Sequence, residues 1–281
     1  MITFVSVLKP CEGRTGLAQR QAVMSWARLG TPGDVILLGD EPGIGELSAD
    51  LGVRWLPIVR RNRFGTPLLD DVLTQALAAS ATPLLCYVNG DIILDGRFTD
   101  AARLAGERLD SFLVIGQCLN LDVPDELMTG ATPAEPLVAL GMECGSLRGH
   151  DFVDYFLFTR DVFTDVPPFA LGRAGFDNWL IWSARAGGAA VVDATPFQLP
   201  IHQNHDYGHV AGGAAWAYAG EEAAENIALA GGRRHLLTTL DSTHRLTPSG
   251  IRSDVPGRLR LRSRLLRARI TAARLLGRAP S

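Results

Sequence analysis

Residues 84–94, LLCYVNGDIIL, constrain the fold of this chain more than any other stretch. Leu84, Leu85, Tyr87 and Val88 form a short apolar run rich in strand formers, the pattern of a strand buried on both faces. The run stops at Asn89-Gly90-Asp91. Gly90 frees the backbone to turn, and Asp91 is left just outside the carboxyl end of the strand. Open parallel sheets bind ligands at that edge. A carboxylate there can hold a hard divalent cation, and the cation can hold a diphosphate. An Asn-Gly turn with a capping Asp accounts for the same three residues without a ligand.

The chain around this stretch alternates between strand and helix patterns. Residues 2–8 read as a buried strand ended by Lys9-Pro10. Leu17, Ala18, Ala22, Trp26 and Leu29 fall at helical spacing within 15–29. A second strand over 35–38 closes on Gly39-Asp40, a short helix covers 44–51, and a third strand covers 53–58. Thr66 is predicted to cap a helix from Pro67 to about Ser80, with Asp70 and Asp71 in its first turn. Such repetition with short connections predicts an α/β fold with a doubly wound, mainly parallel sheet. Further helices are expected over 97–109, 176–186 and about 214–230, and strands over 112–116, 155–159, 189–193 and 197–201. Residues 117–150 show little periodicity and several prolines and glycines. A loop that long in a compact domain is expected to be a functional lid or a mobile segment.

Composition narrows the class. The hydrophobic fraction of 47% over 281 residues suffices for one large domain and an appendage. Cys11, Cys86, Cys118 and Cys144 are far apart and show no CxxC spacing, which argues for a reducing compartment rather than a disulfide framework or zinc ribbon. The start, MITFVSVLKP, reads as a first strand and not as a signal peptide. No apolar run reaches membrane-spanning length. The net charge of −3 conceals an asymmetry. Residues 251–281 hold nine arginines and one acid, a balance of +8, which leaves −11 on the remainder. Residues 259–278 read as a helix with two arginine stripes separated by leucines. A helix docked on the acidic body, or a loose terminus, accounts for it; an anionic membrane surface is the external partner it suits. The acidic body disfavours nucleic acid.

Acidic and histidine residues gather at predicted strand ends: Asp40, Asp91, Asp177 and the run His202-Gln203-Asn204-His205-Asp206-Tyr207-Gly208-His209. Gly208 and the preceding strand argue against a helical three-histidine zinc site. One histidine beside Asp91 is the better metal ligand, against the alternative of a polar loop whose imidazoles bond to backbone. No HExxH is present. Asp177 opens FDNWLIW, where it either caps the helix or acts as a general base for an acceptor hydroxyl. The base role requires burial or a nearby acid to raise its pKa. Asp154 reads as structural.

The segments KPCEG, ILLGD, RNRFGTPLLDDV, CYVNGDIIL, DYFLF, GRAGFDNWLIW and VVDATP…IHQNHDYGH, in that order over roughly residues 1–210, resemble a group of bacterial and plant glycosyltransferase-like proteins. These have the GT-A fold of the nucleotide-diphospho-sugar transferases and are related to the family-2 glycosyltransferases. The resemblance implies a GT-A domain over residues 1–212, a helical appendage over 213–250 and a basic helix or tail over 251–281. It implies Mn²⁺ or Mg²⁺ as cofactor, a nucleotide-sugar donor, and a glycan, lipid-linked or small-molecule acceptor. By the same resemblance Asp40 reads the nucleobase, while Lys9 and Arg61-Asn62 lie near the nucleotide. Asn89 takes the place of the usual first carboxylate of an Asp-x-Asp motif and would bond a ribose hydroxyl. Asp91 holds the metal, His202 or His205 completes its coordination, and Asp177 is the base of an inverting transfer. A cytoplasmic location follows, with the tail able to lie at the inner face of the membrane. Two rivals remain open. A sugar-1-phosphate nucleotidyltransferase would show a glycine-rich loop after the first strand, which LKPCEGRTG matches poorly. A non-catalytic nucleotide- or glycan-binding module would keep the fold without the transfer.

Overall fold

The computed structural model describes residues 1–204 and 217–253. The first half follows the alternation of the sequence: β1 (Ile2–Val7), α1 (Gly13–Arg28), β2 (Val35–Leu38), α2 (Ile44–Leu51), β3 (Arg54–Leu56), α3 (Leu69–Ala79), β4 (Leu84–Val88) and β5 (Ile92–Ile93). Then come α4 (Gly96–Gly106), β6 (Phe112–Ile115), β7 (Leu119–Leu121), α5 (Ala134–Cys144), β8 (Ser146–Leu147) and β9 (Tyr155–Thr159). The rest comprises α6 (Phe176–Ala186), β10 (Ala190–Asp193), β11 (Ile201–Gln203), α7 (Glu221–Leu229), β12 (His244–Thr247) and β13 (Gly250–Ser253).

Among the described residues the main sheet runs β13-β12-β10-β6-β9-β4-β1-β2-β3. Its pairs are parallel except where β9 inserts antiparallel between β4 and β6, and where β13 folds back on β12. A smaller sheet, β5-β11-β7-β8, stands beside it. The result is an α/β architecture: a mainly parallel sheet with helices on both faces, one reversed strand inside it and a small second sheet.

The strands of the main sheet bury both faces, so their residues alternate between two cores. Phe4, Leu37, Cys86, Val88 and Leu157 point to the α1 and α4 side with Trp26 and Phe98. Val5, Ile36, Leu85, Tyr87 and Phe156 point to the α3 and α6 side with Leu69, Val72, Trp179 and Leu180. A third cluster of Ile93, Leu119, Leu121, Leu137 and Ile201 packs α5 on the small sheet. That cluster is why 117–150 is neither a lid nor a structureless loop: β7, β8 and α5 lie within it. The strands are only two or three residues long, so no period of two can show in the sequence.

Other boundaries also shift. β3 spans Arg54–Leu56, shorter than the expected third strand. Helix α3 starts at Leu69, with Leu68 at its cap position and no side-chain cap. Thr66 and Pro67 therefore do not cap it. Pro67 and Leu68 form bridges with Arg61 and Ala170 instead, and tertiary pairing overrides the local helix-start signal. Asp70 and Asp71 do occupy the first turn. The strand expected over 197–201 lies at Ile201–Gln203, because Phe197 and Gln198 form a turn bonded to the Ala194 carbonyl. Residues 244–253, which the sequence places in a helical appendage and a basic tail, form the hairpin β12–β13 at the edge of the main sheet. His205 and the arginine-rich stretch from 254 onward lie outside the described residues. Among the described residues no helix is long and apolar enough to cross a membrane.

Trp26 ties the two sheets together. It is fully buried, and its indole N–H donates to the Ile92 carbonyl at 2.8 Å, in the strand that follows the Asn-Gly-Asp turn. Trp26→Phe keeps an aromatic ring but leaves that carbonyl without this donor. The variant is expected to lose about 1–3 kcal/mol of stability, and Trp26→Ala about 3–5 kcal/mol, both read from urea denaturation midpoints.

Candidate functional site

The site lies where β4 ends against β9. The Asn89 N–H donates to the Asp154 carbonyl at 2.9 Å, and Asn89 Nδ2 donates to Asp154 Oδ1 at 3.1 Å. The Ile92 N–H closes the turn on the Asn89 carbonyl. Gly90 is required by space: a Cβ there would stand 2.6 Å from Leu8 Cδ2. Asp91 follows, held through its carbonyl by the backbone N–H and side-chain amide of Gln203. The antiparallel pairing of β5 with β11 sets His202 opposite Ile92. That register brings His202 Nε2 to 3.8 Å from Asp91 Oδ2, with both side chains largely buried. The predicted metal pair is therefore brought together from residues more than a hundred positions apart.

The donor set fits a divalent cation. A carboxylate oxygen and an imidazole nitrogen this close can share one ion, since metal–ligand bonds run about 2.0–2.2 Å. Among the described residues no group of three or more His, Cys, Asp or Glu forms a ready-made cage. Two protein ligands suit Mg²⁺ or Mn²⁺, which take their remaining positions from phosphate oxygens and water.

Asp177 enters from the other side. Gly175 is the cap residue of α6, with φ of 109°, a left-handed conformation open to glycine. Asp177 is thus not the cap. It sits in the first turn and accepts from the Asn178 N–H at 2.9 Å. The residue is half-buried, packed around with protein atoms. Burial pushes its pKa up to about 7, and the nearby Asp154 charge adds to the rise. The Tyr87 phenol, buried beneath, is pushed up by burial and then by the charges of Asp177 and Asp91, so both carboxylates lie within its reach. Phe176 packs edge-on to the same ring at 6.3 Å.

Asp154 is nearly inaccessible and lies 3.0 Å from Arg148 Nε. Arg148 also donates to Asn120 Oδ1 at 2.9 Å and lies over the Phe152 ring. This pair has no signal in the sequence beyond the DYFLF strand start.

The residues expected at the nucleotide are placed as follows. Asp40 is exposed and bonded to Arg61 at 2.7 Å, which holds its carboxyl below the usual value. Arg61 also reaches Glu41 and the Gly65 carbonyl. Asp40, Glu41, Pro42, Glu46 and Trp55 line an open cleft of about 510 Å³. Lys9 lies at the end of β1, where its backbone N–H and carbonyl are clasped by the Gln19 amide. Asn62 is turned inward: its Oδ1 accepts from Phe64 and Thr66 N–H groups, and its Nδ2 donates to Glu222 at 2.7 Å. It shapes its own loop, and Glu222 and Arg173 pair beside it, a contact that sequence spacing does not reveal.

The fold and site together define an α/β protein with an acidic cleft at the carboxyl edge of its main sheet. No family model and no curated protein matches the sequence. Among solved structures the chain is similar to glucosyl-3-phosphoglycerate synthase from Mycobacterium tuberculosis, at 18% identity and a TM-score of 0.48, over 82% of this chain and 78% of that one. A structure of that synthase in complex with Mn²⁺, uridine diphosphate and phosphoglyceric acid aligns at 17% identity and a TM-score of 0.47, over 82% of this chain and 76% of that one. TarS 1-349 of S. aureus is similar at 13% identity and a TM-score of 0.47, over 72% of this chain and 60% of that one. At these scores the strand order, and not the likeness, defines the fold.

The raised pKa of Asp177 has a sign. Its folded value of about 7 exceeds the ordinary 3.8, so the native state holds the proton more tightly than the unfolded chain. The stability it contributes is full below the ordinary value and lost as pH rises through about 7. Asp177→Asn is expected to melt near wild type at pH 4 and progressively above it up to neutrality, in thermal melts across that range. Parallel curves would refute the burial.

Proposed function

We propose that this protein is a metal-dependent glycosyltransferase. It moves a sugar from a nucleotide-diphosphate donor to a hydroxyl acceptor, with inversion and with Asp177 as the base. One observation supports this most: a carboxyl with a pKa near 7 stands at the same strand end as a buried Asp–His pair suited to a divalent cation. A base is best matched to its task when its pKa lies near the working pH.

Asp91 and His202 would hold Mn²⁺ or Mg²⁺ against the donor diphosphate. The ion supplies Lewis-acid stabilisation of the charge that develops on the departing nucleoside diphosphate. Asp177 takes the proton from the acceptor hydroxyl as its oxygen attacks the anomeric carbon. Attack from the face opposite the leaving group inverts that centre. Asp154, held by Arg148 and Asn89, lies behind Asp177, and its charge favours the protonated form of Asp177. The cleft beside Asp40 and Trp55 lies at the same sheet edge and would receive the nucleoside, with Arg61 poised between Asp40 and Glu41. The similar synthase is described with Mn²⁺ and uridine diphosphate, which makes uridine nucleotides the first donors to test.

Ligand that binds only the folded state raises its melting temperature by mass action. Uridine diphosphate or a uridine-diphosphate sugar is expected to raise the melting temperature only with Mn²⁺ or Mg²⁺, and Asp91→Ala is expected to abolish the effect. With an acceptor in hand, kcat/KM should rise with pH through about 7. Asp177→Asn should lose about 10²–10⁴-fold in kcat while keeping the metal-dependent nucleotide shift. If no nucleoside diphosphate of any base stabilises the protein, the transferase reading fails.

A further inference from the structure

Helix α7 follows the site in sequence and is not part of it, yet it makes a dense set of buried polar contacts to the segment that leads into α6. Asn226 is 1% exposed. Its Oδ1 accepts from the Ala170 N–H at 2.9 Å, and its Nδ2 donates to the Ala170 carbonyl at 3.0 Å and to the Arg173 carbonyl at 3.4 Å. One amide side chain thus satisfies both backbone groups of Ala170, as a neighbouring strand would. Glu222, one turn earlier and 2% exposed, lies 2.7 Å from Arg173 Nε and also accepts from Asn62. Burial raises the Glu222 carboxyl, and the bonds from Asn62, Thr66 and Arg173 together outweigh it and hold the group below its ordinary value. The Ala174 N–H donates to the Ala217 carbonyl just before α7, and the Leu171 N–H to the Pro67 carbonyl.

Residues 170–174 are therefore held at nearly every position, and the next residue is the left-handed Gly175. Gly175 itself packs on α7, where an added Cβ would meet Asn226 Cβ at 3.7 Å. A core helix does not need such an arrangement. Phe176, Trp179, Leu180 and Ile181 already anchor α6 by apolar packing. What the polar contacts fix is the entry point, and the second residue after that entry is Asp177.

We propose that Glu222 and Asn226 are positioning residues for Asp177. Helix α7 clamps the 170–175 segment, so that the carboxyl enters α6 at one place, beside Tyr87. The importance of that placement for catalysis rests on the reading of Asp177 as the base; the placement itself does not, and it is measured without donor or acceptor.

The test uses the full chain and two measurements. The Asp177 carboxyl is followed by ¹³C NMR through a pH titration, assigned with Asp177→Asn, and backbone hydrogen exchange is read by mass spectrometry. Asn226→Ala is expected to speed exchange over 169–180 about tenfold, as local opening becomes easier, while peptides from α1 and β4 stay unchanged. The Asp177 midpoint should fall from about 7 toward the ordinary carboxylate range as water reaches it. Glu222→Gln should give a smaller shift in the same direction. Glu222→Gln leaves both Ala170 bonds in place and weakens only the Arg173 contact, so it tests the idea even if Asn226→Ala does not fold. An unchanged Asp177 midpoint in the folded variants overturns the proposal, as does exchange that accelerates equally in every peptide. Either of those results leaves the thermal-shift test of donor binding untouched, so failure here and failure of the transferase reading are told apart.

Discussion

Asp154 acts electrostatically on Asp177, while Asp91 shares the Tyr87 phenol with Asp177 and the Cys118 thiol with Asp154, so three carboxylates gather at the end of a single strand pair. Each is handled by a different means. Asp154 is buried against the Arg148 guanidinium and the Asn89 amide. Asp91 stands beside the His202 imidazole. Asp177 is lifted to about 7 by burial and the Asp154 charge. The result is one carboxylate clamped by an arginine and an amide, one suited to sharing a cation, and one whose pKa is lifted to about 7. Carboxylates in close company divide into such roles because like charges cannot all remain ionised at no cost.

The geometry that allows this comes from the backbone. Inserting β9 antiparallel beside β4 sets Tyr155 against Val88 and so Asp154 against Asn89. The small sheet does the same for the metal pair, because β5 begins one residue after Asp91 and pairs with the strand that carries His202. Two sheets meeting at one strand end are thus what gather residues 89, 91, 154, 177 and 202. Trp26 couples those sheets through Ile92, and Gly90 lets the turn lie flat on Leu8.

The parts legible in the sequence are those whose information is local. The β4 run, α2, β9 and α6 fall where apolar patterning puts them, and Asp91 and Asp177 were visible as carboxylates at element ends. The small sheet was not legible, because strands of two or three residues carry no period. The helix start at Thr66-Pro67 misled because its backbone bonds to Ala170 and Leu171 across the fold. The hairpin β12–β13 gains its strand character from pairing with β10 at a sheet edge, which no local pattern announces. Arg148, Arg173 and Glu222 are ordinary charged residues in sequence. Their importance lies in burial and in partners far along the chain. The pKa of Asp177 belongs to the same class, since desolvation is a property of the assembled fold.

Asn89 deserves its place on these grounds. Beside the Asp-x-Asp pattern it looks like a missing charge. In the structure its Nδ2 donates to Asp154 Oδ1 at 3.1 Å. An Asp at 89 would face Asp154 with two carboxylates at hydrogen-bond distance and no donor between them. Two like charges about 4 Å apart repel by about 4 kcal/mol at an effective dielectric of about 20, and Arg148 supplies only one compensating charge. The amide removes that repulsion and contributes a donor. With Asp154 entering from β9, the strand end keeps two carboxylates near one another, Asp91 and Asp154, although only one of them comes from the turn. The asparagine is the residue that lets a buried Asp occupy the adjacent strand, while Asp91 stays where His202 can meet it.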